Sequence, residues 1–161
     1  MFWSRIGHGL AAGAAGVTTL NAITYLDVAL RARPSSDSPS QAVEQLAAKA
    51  GAEIPGKGDD RDNRLAGLGP LTGILVGTAI GVTAAFARPV LAKIPAPLAA
   101  ATLGALAMAG SDGPLVALGI TKPGDWTAAD WASDVIPHLG YGAATYTTLT
   151  ALKAGSRPRH G

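Results

Sequence analysis

The sequence lacks cysteine and is poor in charged and aromatic residues. Of its 161 residues, 15% are charged and 5% are aromatic, and Cys does not occur. Without Cys the chain has no disulfide, no Cys-based zinc site and no thiol nucleophile. The charged fraction is well below the usual quarter, which argues against a disordered chain. A formal net charge of +2 is too small to indicate a nucleic-acid partner. The length is that of one domain.

The few charges are unevenly distributed along the chain. Four runs without a charge cover residues 6–26, 65–87, 94–111 and 135–152, with histidine counted as neutral. A helix needs about 20 residues to cross the hydrocarbon core of a bilayer, and a soluble helix of that length normally has a charged face. A lysine, arginine or aspartate at the centre of a span costs roughly 2.5–3.5 kcal/mol. The pattern therefore predicts four membrane-spanning helices.

We predict an all-α fold, in which a four-helix transmembrane bundle forms a single integral membrane domain with two short interfacial helices. A helix is expected for each run because a span of this length must satisfy its backbone polar groups internally. The transmembrane segments are expected at about residues 6–30, 65–87, 90–110 and 137–154.

Two polar loops are expected to join these segments. Residues 31–64 form the first loop, with a surface helix at 39–50, and residues 111–136 form the second, with a surface helix at 126–135. Proline sets two of the boundaries, because it interrupts the hydrogen bonding of a helix. The prediction is that Ser111-Asp112-Gly113-Pro114 ends the third span and that Pro137 separates the second surface helix from the fourth span.

An even number of spans places both termini on the same side of the membrane. On that side the charged residues are all basic: Arg5, Arg88, Lys93, Lys153, Arg157 and Arg159. Lys and Arg favour the cytoplasmic side of a membrane protein. We therefore expect a multi-pass protein of a bacterial plasma membrane, with the lipid bilayer as its partner and with cytoplasmic termini.

Small residues recur at intervals of four. In the second segment these are Gly69, Gly73, Gly77 and Gly81. The other segments contain the same spacing at Gly9, Gly13, Ala101, Ala105 and Gly140. Between helices in lipid there is little hydrophobic force, so close approach of backbones drives packing. These residues are predicted to pack the helices of one bundle, or alternatively to form the contact of a homo-oligomer or a larger membrane complex.

Three polar residues of the predicted spans are candidates for a transport site. Asn21 and Asp27 lie in the first segment, and His138 begins the fourth. An ionisable group inside a span is expensive and indicates function by default. The alternatives are an ion pair between Asp27 and Arg31, an interhelical hydrogen bond from Asn21, and an interfacial His138 beside Asp134. No serine at a defined spacing completes a catalytic triad, and no metal or cofactor motif occurs.

Several stretches of the sequence are distinctive together. They are Gly9–Gly16, Thr18–Asp27, Asn63–Gly69 and Trp131–Gly142. In these stretches the chain resembles a family of small, uncharacterised multi-pass membrane proteins of actinobacteria. The resemblance implies a multi-pass membrane protein of unknown function, and it transfers no catalytic or binding residue.

The first hypothesis for function is a structural role, as an accessory or scaffolding protein without catalysis of its own. The alternative is a small transporter, or a protein that conducts protons or ions through a polar seam at Asn21, Asp27 and His138. A membrane enzyme ranks last, because the sequence contains no catalytic constellation.

Overall fold

The structure is a computed structural model that describes residues 2–155, which form five α-helices and no β-strand. The helices are α1 (Phe2–Arg31), α2 (Ser38–Lys49), α3 (Asp59–Leu91), α4 (Ala96–Ala117) and α5 (Ala128–Gly155). A 3₁₀ turn at Pro123–Asp125 precedes α5. The prediction of an all-α fold is confirmed.

The four long helices are antiparallel to their neighbours. α1 packs against both α3 and α5, and α5 also packs against α4. α3 and α4 are joined by a short turn and meet less closely, while the short helix α2 lies against the first half of α3. The beginning of α1, the turn between α3 and α4, and the end of α5 therefore share one end of the bundle. This is the basic end, with Arg5, Arg88, Lys93 and Lys153. The opposite end is the polar end.

Two prolines that the sequence predicts to break helices lie inside them. α5 continues through Pro137, so the predicted surface helix at 126–135 and the predicted span at 137–154 are one helix. α4 continues through Ser111–Pro114 and ends at Ala117. Both boundary predictions are wrong. A proline inside a helix removes one backbone hydrogen bond and its ring crowds the carbonyl four residues earlier, and packing of α5 on both α1 and α4 stabilises the helix against this cost.

The other predicted segments correspond to helices with shifted ends. α2 covers the surface helix predicted at 39–50. α3 begins at Asp59, six residues before its charge-free run, and includes Pro89 near its end. Asp59, Asp60 and Asp62 lie in the first turn of α3, where negative charge is favourable because backbone N–H groups point outward there.

The core of the bundle combines alanines with a few leucines (Leu65, Leu91, Leu103 and Leu149), while many other large apolar residues lie outside. The buried apolar residues include Ala12, Ala84, Ala85, Ala99 and Ala107. On α3 alone, Leu68, Leu71, Ile74 and Leu75 are exposed. The largest buried side chain is Tyr141 on α5, whose hydroxyl donates a hydrogen bond to the carbonyl of Gly77 on α3 at 2.6 Å.

Among residues 2–155, α3 is the one helix with both the length and the apolar composition of a membrane span. The four-span prediction is therefore not confirmed. α1, α4 and α5 are long enough, but their many Ala, Gly and Thr residues leave no stretch of 18 residues as apolar as that of α3. Within the most apolar 18-residue stretch of α3, 22% of the residues are buried.

Candidate functional site

Two polar clusters lie at the polar end of the bundle, and α5 contributes to both. The acid–histidine centre contains Ser111 and Asp112 of α4 with Asp134 and His138 of α5. The arginine network contains Asp27, Arg31 and Arg33 from the end of α1 and the loop after it, with Ser133 of α5. Ser133 and Asp134 are neighbours in sequence, and consecutive helical residues point about 100° apart. One face of α5 therefore meets α1 and another meets α4.

The start of α5 is fixed by a reciprocal cap that positions these residues. The backbone N–H of Asp130 donates to Thr127 Oγ1 at 3.2 Å, and the N–H of Thr127 donates to Asp130 Oδ2 at 2.9 Å. Such a cap satisfies N–H groups that have no partner within the helix. Hydrogen bonds from Thr127 lower the pKa of the Asp130 carboxyl. Ser133, Asp134 and His138 follow within the next turns of the helix.

His138 connects the two helices of the acid–histidine centre. Its side chain is buried, with 8% of the residue exposed. Nδ1 lies 2.8 Å from the backbone carbonyl oxygen of Asp134 and 3.4 Å from Asp134 Oδ1, and Nε2 lies 3.2 Å from Ser111 Oγ. A carbonyl oxygen can only accept, so Nδ1 carries the proton. In the neutral ring, Nε2 then accepts a hydrogen bond from Ser111.

The two carboxyl groups of the centre are incompletely paired. Asp112 Oδ2 and Asp134 Oδ2 are both buried, and neither has a hydrogen-bond partner within residues 2–155. Leaving a buried polar group unsatisfied costs about 1–3 kcal/mol, and more for a charged one. Burial, followed by the charge of Asp134 and its hydrogen bonding, raises the pKa of Asp112 to about 7. A single proton on Asp112 removes one charge and supplies the missing donor.

In the arginine network, unlike the acid–histidine centre, both oxygens of the carboxyl group have hydrogen-bond donors. Arg33 Nε donates to Asp27 Oδ2 at 2.6 Å, and Arg31 Nη1 lies 3.3 Å from Asp27 Oδ1. Ser133 Oγ donates to Asp27 Oδ2 at 3.1 Å. These three donors all stabilise the charged form of the Asp27 carboxyl. Asp27 is therefore held as a carboxylate, and its predicted pairing with Arg31 is confirmed.

The structure separates the three polar residues that the sequence grouped into one seam. Asp27 belongs to the arginine network and His138 to the acid–histidine centre. Asn21 is half-buried on α1 and is six residues from Asp27 along the helix. Sequence reasoning missed Ser111 and Asp112, because the expected helix end at Pro114 placed them in a loop. One signal was present, since Asp112 is the only acidic residue between Asp62 and Asp125.

Three of the predicted small residues bring α1 and α3 into backbone contact. A Cβ on Gly9 would lie 2.5 Å from Val82 Cα, and one on Gly13 would lie 2.7 Å from Thr78 Cα. A Cβ on Gly81 would lie 2.5 Å from Gly13 Cα. Real Cβ atoms do not approach this closely, so these positions accommodate only glycine without movement of a helix.

The other small residues have different surroundings. Gly77 faces Val17 on α1, whereas Gly69 faces α2 near Ser40. Gly73 is exposed, and a Cβ there would have no neighbour within 4 Å. The four glycines of α3 therefore do not face one partner helix. Four-residue steps advance about 40° around a helix, so the glycine series turns away from any one straight partner.

Small residues also separate the remaining helices. Gly140 on α5 lies against Ile23 and Thr19 of α1. On α4, Ala105 is exposed and Ala101 is half-buried, so the predicted alanine series is not the packing face. The buried face instead contains Ala99, Leu103, Gly104 and Ala107. A Cβ on Gly104 would lie 2.6 Å from the carbonyl oxygen of His138, which shows how closely α4 approaches α5 at the acid–histidine centre.

Comparison with known proteins gives no family for this chain. No protein-family pattern matches it, no curated protein matches it, and no solved structure matches it. The functional conclusion therefore rests on the residues and contacts described above.

Proposed function

We propose that this chain is a multi-pass protein of a bacterial plasma membrane, of the actinobacterial type that its sequence resembles. The exposure of large apolar side chains supports this proposal, because Leu68, Leu71, Ile74 and Leu75 of α3 face outward while several alanines and glycines lie in the core. A soluble bundle buries its large apolar side chains, whereas lipid offers no reason to do so. The spans are those of the charge-free runs, at about 6–30, 65–87, 90–110 and 137–154, with cytoplasmic termini.

The function we propose is the reversible binding of a proton at the acid–histidine centre, within a small proton-conducting or proton-coupled membrane protein. The observation that carries this proposal is the pair of buried, unpaired oxygens, Asp112 Oδ2 and Asp134 Oδ2, beside the buried ring of His138. Both aspartates lie just beyond the proposed spans, at the edge of the apolar layer. His138 lies inside the fourth proposed span, and ionisable groups that face the interior of a membrane bundle indicate function.

Asp27 is not the proton carrier in this proposal. Two arginines and the hydroxyl of Ser133 pair with its carboxylate. A carrier must release and rebind its proton, whereas two guanidinium groups favour the charged form of the acid. Asp112 and Asp134 replace Asp27 as the acidic groups of the polar seam, and His138 remains part of it.

The contacts of His138 resemble the order of a Ser-His-Asp relay, but proton binding explains them better than acyl transfer. Ser111 Oγ is 3.2 Å from Nε2, and Asp134 Oδ1 is 3.4 Å from Nδ1. Acyl transfer also needs backbone N–H donors to stabilise an oxyanion. Ser111 lies inside α4, where N–H groups are used by the helix itself. The arrangement of Ser111, His138 and Asp134 therefore lacks the oxyanion-stabilising donors of a hydrolytic site.

A scaffolding role without catalysis is the second proposal, and the close α1–α3 contact favours it. The backbone approach at Gly9, Gly13 and Gly81 serves rigid packing and has no polar side chain. The exposed Gly73 would fit an additional helix from a second copy or a larger complex. The first proposal predicts a proton flux that depends on Asp112, whereas the scaffolding proposal predicts no such flux.

A flux experiment in proteoliposomes tests the proton proposal. The purified protein is reconstituted with a pH-sensitive dye inside the vesicles, and a potassium diffusion potential drives proton entry. We expect flux with the native protein and its loss with Asp112→Asn or Asp134→Asn. Asp125→Asn is the matched control, because it removes the same charge from an exposed residue at the same end. Flux that survives both substitutions, or no flux above empty vesicles, would favour the scaffolding role.

A further inference from the structure

The hydroxyl of Ser111 lies between two ionisable groups of the acid–histidine centre. Its Oγ is 3.2 Å from His138 Nε2 on α5 and 3.4 Å from Asp112 Oδ1 on α4. On the other side of the imidazole ring, Nδ1 lies 3.4 Å from Asp134 Oδ1. The four side chains therefore form one line of contacts, in the order Asp112, Ser111, His138 and Asp134.

A hydroxyl group suits this place because it can donate one hydrogen bond and accept others at the same time. Besides Asp112 Oδ1 and His138 Nε2, the carbonyl oxygens of Ala107 and Met108 lie 3.2 and 3.1 Å from Ser111 Oγ. One hydroxyl proton cannot serve four acceptors at once, and none of the four contacts is short for a hydrogen bond from a hydroxyl. The O–H bond of Ser111 can therefore turn from one acceptor to another.

Close packing of α4 on α5 keeps Ser111 and His138 in contact. A Cβ on Gly104 of α4 would lie 2.6 Å from the carbonyl oxygen of His138, so the two helices meet through their backbones one to two turns from Ser111. The His138 residue is 8% exposed, which leaves bulk water little access to the ring. Within residues 2–155, Ser111 supplies the hydrogen-bond partner of Nε2.

We propose that Ser111 is the relay that carries the proton between Asp112 and His138. The transfer begins with a protonated Asp112 and a neutral imidazole that has its proton on Nδ1. The O–H bond at Asp112 Oδ1 breaks as that proton bonds to Ser111 Oγ, and the hydroxyl proton that Ser111 held moves to His138 Nε2. The products are the Asp112 carboxylate, a Ser111 hydroxyl and an imidazolium, and the reverse transfer restores the starting state.

The charges of the centre favour exchange in both directions. Burial, followed by the neighbouring Asp134, raises the pKa of Asp112 to about 7, so its carboxyl has a proton to give near neutral pH. The imidazolium that forms lies 3.4 Å from Asp134 Oδ1, and a carboxylate at this distance stabilises it. The inference rests on the proton function proposed above and names the atom through which the proton moves within that site.

The test compares proton flux at pH 7 in the proteoliposomes described above. Ser111→Ala removes the hydroxyl and should lower the flux about a hundredfold, which is the lower end of what a positioned proton-transfer group contributes. Ser111→Thr keeps a hydroxyl and should retain most of the flux. Thr102→Ala is the matched control, because the Thr102 hydroxyl of the same helix bonds only to the carbonyl of Leu98, at 2.8 Å, and its loss should leave the flux unchanged.

A second measurement separates a relay from a residue that only supports the fold. The infrared band of the protonated Asp112 carboxyl should persist in Ser111→Ala, because the proton is still bound but no longer passed on. Ser111→Cys nearly preserves the size of the side chain and replaces the hydroxyl by a weak donor and acceptor, so its flux should fall between those of the alanine and threonine variants.

Failure of the relay and failure of the proton function give different results. Native flux in Ser111→Ala, while Asp112→Asn abolishes it, would overturn the relay and leave the proton function in place. The relay would also be overturned if Ser111→Ala lost the carboxyl band together with the flux, or if Ser111→Thr conducted no better than Ser111→Ala. No flux from the native protein above that of empty vesicles would instead overturn the proton function itself.

Discussion

The α1–α3 contact and the α4–α5 contact both depend on glycine, but they differ in chemistry. Gly9, Gly13 and Gly81 bring α1 and α3 together through backbone atoms. Gly104 brings α4 equally close to α5, yet it does so beside His138 and two aspartates. The glycines of the first contact have no side chain to titrate, whereas the second contact includes Asp112, whose pKa is raised to about 7. A contact made by close packing alone should therefore have a stability independent of pH, whereas buried ionisable groups make the stability of a similar contact depend on pH.

The largest expected effect comes from filling the α1–α3 contact. Gly81→Leu would place a side chain where a single Cβ already lies 2.5 Å from Gly13 Cα. We expect a loss of about 3 kcal/mol in the free energy of unfolding, because overpacking forces the helices apart. The loss should be the same at pH 5 and pH 8. It can be measured by denaturant unfolding in mild detergent.

Gly73→Leu is the control for that substitution, since Gly73 is exposed on the same helix. Stability should be unchanged or slightly higher, because leucine is a better helix former than glycine. If Gly73→Leu is the more damaging of the two, α3 has a second partner at Gly73, and the contact within one bundle is not the principal one. Light scattering of the two variants would then report a change in oligomeric state.

The second effect concerns the pH dependence of the α4–α5 contact. The pKa of Asp112 is raised to about 7 in the folded chain, against an ordinary value of 3.8. Between those values the folded state holds a proton that the unfolded state has released, so stability falls as pH rises from about 4 to 7 and then levels off. Asp112→Asn resembles the protonated acid and should remove this part of the fall.

The variant should therefore be more stable than the native protein at pH 8, by about 2 kcal/mol after discounting for partial exposure to solvent, and equal to it near pH 4. The difference between the two unfolding curves across pH isolates Asp112 from other titrating groups. Parallel curves for the two proteins would show that Asp112 carries no proton at neutral pH.

A smaller effect is expected at the hydrogen bond that joins α5 to α3. Tyr141 is 1% exposed, and its hydroxyl donates to the Gly77 carbonyl at 2.6 Å. Tyr141→Phe keeps the ring and removes the donor, so the free energy of unfolding should fall by about 1 kcal/mol. Like Gly81→Leu, this loss should be independent of pH below 9. A loss that appears only above neutral pH would link Tyr141 to the acid–histidine centre.

The smallest effect is expected in the arginine network. Its acid, Asp27, has a side chain that is 23% exposed, and a partly exposed ion pair contributes little to stability. Asp27→Asn should therefore leave proton flux and neutral-pH stability almost unchanged. Loss of flux in this variant would return Asp27 to the proton pathway.

The sequence predicts the helices better than it predicts their ends and partners. The charge-free runs locate α1, α3, α4 and most of α5, because long apolar stretches favour helices whatever surrounds them. Pro114 and Pro137 were misleading, since local hydrogen bonding argues for a break and only tertiary packing overrides it. For the same reason Asp112 could not be placed opposite Asp134, although the spacing of Asp134 and His138 on one face was evident.

Infrared titration of the carboxyl groups in the membrane-reconstituted protein measures whether the acid–histidine centre holds a proton. We expect a protonated carboxyl band that disappears with a midpoint near pH 7, that is absent from Asp112→Asn and that persists in Asp125→Asn. If all carboxyl groups of the native protein are already ionised at pH 6, or if the band survives removal of both Asp112 and Asp134, the acid–histidine centre does not hold a proton and the proposed function is wrong.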